Sequence, residues 1–131
     1  MKKSVLLVDD SHIDTLINER ILESLGLVQQ FHKAINGEQA LKIIEHYKNG
    51  VEVVPDIILL DLNMPVMDGF EFLEEYDKMV KENDLIRLKS KIIVLSSSIS
   101  SSDIDRASKN SYVFKYLNKP LNEKYLSAIN Y

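Results

Sequence analysis

The stretch Pro55-Asp56-Ile57-Ile58-Leu59-Leu60-Asp61 decides the fold of this 131-residue chain. Its apolar residues follow one another without the polar alternation of a half-exposed strand, which is typical of a strand buried on both faces. Such strands occur in parallel sheets that helices cover on both sides. The aspartate that follows lies at the carboxyl end of the strand, where open α/β sheets bind ligands. The segment therefore predicts a class of fold and the place of a site.

Three further segments repeat this pattern of an apolar strand followed by a polar, chemically active side chain. They are residues 4–8 with Asp9 and Asp10, residues 91–95 with Ser96, and residues 113–117 with Lys119. Because the carboxyl ends of parallel strands share one rim of the sheet, we expect three carboxylates, a hydroxyl and an ammonium to converge there.

Helical segments alternate with these strands. Spacings of three and four residues predict a first helix over residues 11–25 with one apolar stripe, formed by Ile13, Leu16, Ile17, Ile21 and Leu25. We predict an edge strand over 31–34 and further helices after residue 36, from Gly69, over 103–108 and from Asn122. Five βα units in succession predict one α/β domain over residues 1–131, with a five-stranded parallel sheet and helices on both faces.

Composition excludes several classes of protein. The net charge of −4 and the pI near 5.4 argue against a nucleic-acid-binding surface, which needs clustered lysines and arginines. The apolar runs are far shorter than a membrane span, and the absence of cysteine excludes disulfides and thiolate metal sites. We expect a cytoplasmic protein that is a monomer or a weak dimer and binds neither membranes nor nucleic acid.

The convergence of Asp9, Asp10 and Asp61 requires a cation, because like charges at short range raise one another's pKa. Mg²⁺ suits such a site, since it prefers oxygen ligands and uses one or two carboxylates together with phosphate. The Lys119 ammonium would then neutralise an incoming phosphoryl group, and the Ser96 hydroxyl could donate a hydrogen bond to it. With charge stabilised on both sides, Asp61 can act as a nucleophile that forms an aspartyl phosphate.

Four motifs in this order resemble those of the receiver domain of bacterial two-component response regulators, over essentially the whole chain. The motifs are Val8-Asp9-Asp10, Leu60-Asp61-Leu62-Asn63-Met64-Pro65-Val66-Met67-Asp68-Gly69, Leu95-Ser96-Ser97 and Asn118-Lys119-Pro120. The resemblance implies a flavodoxin-like, doubly wound sheet with strand order 2-1-3-4-5. It also implies a stand-alone receiver without an output domain, similar to the chemotaxis regulators.

The resemblance also implies roles for individual residues. Asp61 would be the phosphoacceptor and Lys119 the phosphoryl contact, with a cis bond between Lys119 and Pro120. Asp10 and Asp61 would ligate Mg²⁺ directly, together with the backbone carbonyl of Asn63, whereas Asp9 would act through a metal-bound water.

The resemblance implies a conformational switch as well. Ser96 takes the position of the family's switch hydroxyl, although the neighbouring Ser97 competes for this role, and Tyr116 takes that of the switch aromatic. The expected donor is a histidine kinase or a histidine phosphotransfer protein, and an unidentified protein partner would receive the output. Such a protein is not an enzyme, apart from mediating its own phosphorylation and dephosphorylation.

Two other functions fit the same residues less well. A pseudo-receiver would be an interaction module that no longer depends on phosphate, but the complete set of acceptor, metal ligands and lysine disfavours it. A phosphatase with an aspartyl-phosphate intermediate would typically show Asp-x-Asp after its first strand, whereas this strand ends in Asp9-Asp10-Ser11.

Overall fold

The architecture is a parallel sheet with helices on both faces, as the sequence predicts. The computed structural model describes residues 3–26, 28–48, 54–82, 90–98 and 100–122. The elements are β1 (Lys3–Val8), α1 (His12–Ser24), β2 (Val28–Ala34), α2 (Gly37–Lys48), β3 (Ile57–Leu60), α3 (Gly69–Glu82), β4 (Lys91–Ser96), α4 (Ser101–Ser108) and β5 (Val113–Asn118). The strand order β2-β1-β3-β4-β5 confirms the predicted topology. The predicted last helix, from Asn122 onward, falls on residues 123–131, which lie outside the described part.

Successive side chains of the three inner strands, β1, β3 and β4, enter two apolar cores, one on each face of the sheet. In β1, Leu6 and Val8 belong to the core beneath α2 and α3, whereas Val5 and Leu7 belong to the core that Leu22 of α1 enters. The α3 residues predicted to face inward are all buried, namely Phe72, Leu73, Tyr76 and Val80. Burial on both faces explains why these three inner strands are apolar without alternation.

The first helix buries a different face from the predicted one. Three residues of the predicted stripe are exposed by 69%, 42% and 45%, namely Ile13, Leu16 and Ile17, while Ile21 and Leu25 pack partly against the core. The buried residues of α1 are Thr15, Asn18 and Leu22. Apolar residues occur around most of this helix, so their spacing did not identify the inward face. Thr15 and Asn18 instead line a cavity of about 10 Å³ together with Asp9 and Asp61.

Strand β2 and helix α4 begin earlier than predicted, for local reasons. Strand β2 begins at Val28, because its pairing with β1 already starts between Lys3 and Val28. Helix α4 begins at Ser101, because the Ser100 hydroxyl caps it by accepting a hydrogen bond from the backbone N–H of Asp103. Among the described helices, none combines the length and hydropathy needed to cross a membrane.

Candidate functional site

The backbone of the site continues the hydrogen bonding of the sheet past the strand ends. The Asp61 N–H donates to the Val8 carbonyl at 2.9 Å, and the Lys119 N–H donates to the Ser96 carbonyl at 2.9 Å. These bonds fix the residues that follow β3 and β5 relative to the neighbouring strands. The peptide bond between Lys119 and Pro120 is cis, as the resemblance implied.

Three aspartates form a cluster at this rim. Ligand oxygens of Asp9, Asp10 and Asp61 all lie within 4.8 Å of one another. Asp9 and Asp61 are buried, whereas Asp10 is exposed. The structure thus brings together the carboxylates that the sequence predicted to converge, and it leaves one of them open to solvent.

The Lys119 ammonium lies among carboxylates. Its Nζ is 2.7 Å from Oδ2 of Asp9, 2.9 Å from Oδ2 of Asp14 and 3.6 Å from Oδ2 of Asp61. Burial alone would lower the pKa of Lys119, but the hydrogen bonds to Asp9 and Asp14 and the charge of Asp61 together raise it above its ordinary value. The lysine is therefore fully charged in the pocket at neutral pH.

Asp14 is a member of this site that the sequence reasoning missed. It lies in the first turn of α1, three residues after the N-cap Ser11, so its carboxylate is held at the start of the helix, next to Lys119. An acidic residue in the first turn of the helix that follows the aspartate pair was the available signal.

Asp61 has the properties of a buried carboxyl group. Burial raises the pKa of Asp61 from 3.8 to about 6. The charge of Lys119 opposes this rise, and the charge of Asp9 adds to it. A nearby cation that binds the carboxylate would favour its ionised form.

Contacts of the backbone shape the β3–α3 loop, residues 61–68. The Gly69 N–H donates to the Leu62 carbonyl at 2.9 Å, and a Cβ added to Gly69 would lie 2.6 Å from the Asp61 carbonyl oxygen. Asp68 and Glu71 form a capping box at the start of α3, in which each side chain accepts from the other's backbone N–H. Asp68 therefore caps α3, and the absence of a side chain at Gly69 allows the helix to approach the Asp61 backbone closely.

The same loop contacts the start of α2 and contains an unusual backbone angle. The Gly37 N–H donates to the Met67 carbonyl at 2.9 Å, and a Cβ added to Gly37 would lie 2.8 Å from Met67 Cγ. Val66 has a φ of 68°. A β-branched residue adopts this left-handed conformation only under strain.

Polar side chains hold the β4–α4 loop, residues 97–100, of which 97, 98 and 100 are described. The Ser98 N–H donates to Oγ of the fully buried Ser96 at 3.1 Å. The Ser98 carbonyl accepts from the Tyr116 hydroxyl at 3.1 Å and from Nδ2 of Asn118 at 3.4 Å. The Ser98 hydroxyl donates to Oδ2 of Asp103 in α4 at 2.8 Å. Ser98 therefore connects the two predicted switch residues, and the structure gives Asn118 a partner.

The carboxylate oxygens of the aspartate cluster differ in the hydrogen bonds that they accept from the protein. Oδ1 of Asp9 accepts from the Ser11 N–H and Oδ2 accepts from Lys119. Over the described ranges, no hydrogen bond or ion pair engages the Asp10 carboxylate. Asp61 is intermediate, because its Oδ1 accepts a long bond of 3.4 Å from the Asn63 N–H and its Oδ2 lies 3.6 Å from Lys119 Nζ. This donor set suits an oxygen-preferring divalent cation, with Asp10 the least engaged of the three carboxylates and Asp9 the most.

Comparison with known families agrees with this geometry. The sequence model described as "Response regulator receiver domain" matches residues 5–130. The chain belongs to this family. The receiver domain is 32% identical over 117 residues to the probable methanogenesis regulatory protein FilR2 of Methanothrix harundinacea, covering 89% of this chain and 72% of that protein. It spans only 7% to 22% of the length of four other curated relatives, which are histidine kinases and protein-glutamate methylesterases.

Solved structures share the fold of the receiver domain. A two-component response regulator from Cytophaga hutchinsonii superimposes with a TM-score of 0.87 at 27% identity, covering 99% of this chain and 96% of the other. The CheX-CheY-BeF3-Mg+2 complex from Borrelia burgdorferi contains a chain with a TM-score of 0.74 at 26% identity, covering 97% of this chain and 86% of that one. The receiver domain is thus a CheY-like module of two-component signalling.

Proposed function

We propose that this receiver domain takes a phosphoryl group from a phosphohistidine onto Asp61. The observation that carries this proposal is the burial of the Asp61 carboxylate between an aspartate cluster and the Lys119 ammonium, 3.6 Å away. The donor would be a histidine kinase or a histidine phosphotransfer protein of the cytoplasm.

Asp10, Asp61 and the Asn63 backbone carbonyl would hold the divalent cation, for which Mg²⁺ is our candidate. When bound, the cation neutralises charge on the phosphoryl oxygens and on the ionised Asp61. Asp9 would act through a metal-bound water, since both of its oxygens already accept hydrogen bonds from the protein. The related CheY complex from Borrelia burgdorferi includes both Mg+2 and BeF3, which supports this assignment.

The transfer forms a bond between a carboxylate oxygen of Asp61 and phosphorus while the bond from phosphorus to the donor's imidazole nitrogen breaks. The imidazole leaves with the electron pair of that bond. Lys119 neutralises one phosphoryl oxygen, and the Ser96 hydroxyl donates a hydrogen bond to another. Asp61 must be ionised to attack. Because burial raises its pKa, the nearby positive charges are needed to favour the ionised form.

The output would pass through Ser98. Turning the Ser96 hydroxyl toward a phosphoryl group breaks the bond that Ser96 Oγ accepts from the Ser98 N–H. The Ser98 carbonyl, which Tyr116 and Asn118 contact, would then shift and change the surface of α4 and β5. A protein partner that reads this surface receives the signal.

Acetyl phosphate with Mg²⁺ tests the acceptor. We expect intact-protein mass spectrometry to show one phosphoryl group on the wild-type protein and none on Asp61→Asn. The matched control is Asp105→Asn, an exposed aspartate of α4 that should label normally. Full labelling of Asp61→Asn would refute the assignment.

The same samples separate the alternatives. A pseudo-receiver would stay unlabelled in the wild-type form, and a phosphatase would turn over a generic phosphate ester such as p-nitrophenyl phosphate. For the receiver, beryllofluoride should instead shift the NMR signals of Tyr116 and α4 without turnover of the ester.

A further inference from the structure

The Lys119 ammonium binds a carboxylate that the proposed function does not use. Asp14 Oδ2 lies 2.9 Å from Nζ, whereas Asp61 Oδ2 lies 3.6 Å away. Asp14 is therefore within hydrogen-bond distance of the ammonium, and the candidate phosphoacceptor is farther from it.

The start of α1 fixes the position of Asp14. Ser11 caps the helix, and its Oγ accepts a hydrogen bond from the Asp14 N–H at 3.2 Å. A carboxylate in the first turn is also stabilised by the partial positive charge of the helix N-terminus. The side chain of Asp14 is 40% exposed, compared with 6% for Asp61, so the lysine lies between an outer and an inner carboxylate.

The Asp14 carboxylate and a phosphoryl group on Asp61 would compete for the Lys119 ammonium. An ammonium has three N–H groups, and Asp9 and Asp14 each accept from Lys119 in the unmodified protein. A phosphoryl group on Asp61 would place new anionic oxygens on the inner side. A lysine that turns toward them loses part of the charge-assisted bond to Asp14.

We propose that Asp14 is a positioning residue that holds Lys119 on the α1 side of the pocket and so competes with a phosphoryl group on Asp61. The inference rests on the proposed function, because it assigns a regulator of that same site. Asp14 lowers the stability of the phosphoryl-bound form relative to the unmodified one. The expected effect is about fivefold, the change in affinity that ~1 kcal/mol produces for a partly exposed charge pair.

Beryllofluoride with Mg²⁺ is the probe, titrated by NMR. We expect Asp14→Ala to bind beryllofluoride about fivefold more tightly than the wild-type protein does. Glu23→Ala is the matched control, because it removes one negative charge from the exposed face of the same helix. Equal beryllofluoride affinity in both variants would overturn the inference.

A second measurement tests whether Asp14 acts through the lysine. In a Lys119→Met background, Asp14→Ala should change beryllofluoride affinity no more than Glu23→Ala does. The same fivefold gain without the lysine would show a general charge effect and would overturn the positioning role.

A crystal structure of the metal-free Asp14→Ala protein provides a test that does not depend on phosphorylation. Lys119 Nζ should move within hydrogen-bond distance of Asp61 Oδ2, and its ammonium NMR signal should shift. An unmoved lysine would overturn the inference, and Asp14→Asn serves as a second variant if alanine impairs folding. Failure of the wild-type protein to bind beryllofluoride would instead overturn the proposed function.

Discussion

The two loops that lead from β3 and β4 border the same pocket but are held in different ways. The β3–α3 loop is fixed by the Gly69 N–H bond to the Leu62 carbonyl and by a glycine that lies against the Asp61 backbone. The β4–α4 loop is held by side-chain groups of Ser96 and Tyr116 that bind the backbone of Ser98.

This difference assigns separate tasks to the loops. Backbone contacts of the β3–α3 loop cannot change without moving α3 or the sheet, so this loop keeps Asp61, the proposed acceptor, in place. A hydroxyl can exchange one partner for another by rotating about a single bond, so the β4–α4 loop can respond to a new group in the pocket. Substitutions in the first loop should therefore change stability more than substitutions in the second.

The largest effect is expected for Gly69→Ala. Its Cβ would lie 2.6 Å from the Asp61 carbonyl oxygen and 2.8 Å from Leu62 Cα, and backbone atoms at both positions have little freedom to move. We expect the free energy of unfolding to fall by about 3 kcal/mol in urea denaturation.

Gly26→Ala is the control for that substitution. Gly26 has a φ of 66° and no atom within 4 Å of an added Cβ, so only its conformation is penalised. The expected loss is about 1 kcal/mol. Equal losses for both glycines would show that the contact with the β3–α3 loop is unimportant.

The second effect concerns the Asp61 carboxylate, which is buried in the β3–α3 loop. Asp61 has a pKa of about 6 when folded and 3.8 as its ordinary value, so between these values the folded protein binds more protons than the unfolded chain. Stability conferred by this group is therefore present at low pH and is lost as the pH rises through about 6. Without metal, Asp61→Asn should be more stable than wild type by about 2 kcal/mol at pH ~8.

The pH dependence of that difference is the decisive part of the measurement. Chemical denaturation in the presence of a chelator should show the gain disappearing at pH ~3, where the wild-type carboxyl is mostly protonated in both states. Asp105→Asn should show no such gain at the higher pH. A gain of equal size at both pH values would contradict the assignment of the raised pKa to Asp61.

A smaller gain in the free energy of unfolding is expected from substitution of Val66, whose backbone is strained in the β3–α3 loop. Asparagine tolerates the left-handed conformation better than a β-branched residue does, so Val66→Asn should raise the free energy of unfolding by about 1 kcal/mol. Val66→Thr keeps the branched Cβ and should give no gain. If the threonine variant were stabilised equally, removal of an exposed apolar side chain would be the cause.

The smallest effects are expected in the β4–α4 loop. Tyr116→Phe removes one hydrogen bond to the Ser98 carbonyl and should cost about 0.5 kcal/mol, while Asn118→Ala removes a longer, exposed bond and should cost less. Losses larger than that of Gly69→Ala in the same denaturation series would reverse the comparison of the two loops.

The sequence predicted the strands and the rim well, because burial on both faces and the polar residues after each strand are local signals. Residues 57–61 alone indicate both a buried strand and a polar rim at its end. The glycine at 69 was recognised only as the start of a helix, since its close approach to Asp61 depends on how α3 returns to the sheet. Likewise, the spacing of the apolar residues in α1 did not predict which face of the helix lies against the rim.

Asp14 illustrates what local patterns omit from the site. Its distance to Lys119 joins residues that are 105 positions apart, and an acidic residue in a first helical turn is ordinarily explained by the helix dipole alone. Asn118 posed the opposite difficulty. It was visible in the Asn118-Lys119-Pro120 motif, but its partner, the Ser98 carbonyl, belongs to the loop that follows the neighbouring strand β4.

The contact between Gly37 and Met67 has a consequence for evolution of the chain. The two residues belong to different βα units, yet a side chain at position 37 would occupy the space of the methionine. Among homologous sequences, a residue larger than glycine at position 37 should therefore accompany a residue smaller than methionine at position 67. The start of a helix that carries no proposed chemistry is in this way constrained by the loop that carries Asp61, the proposed acceptor.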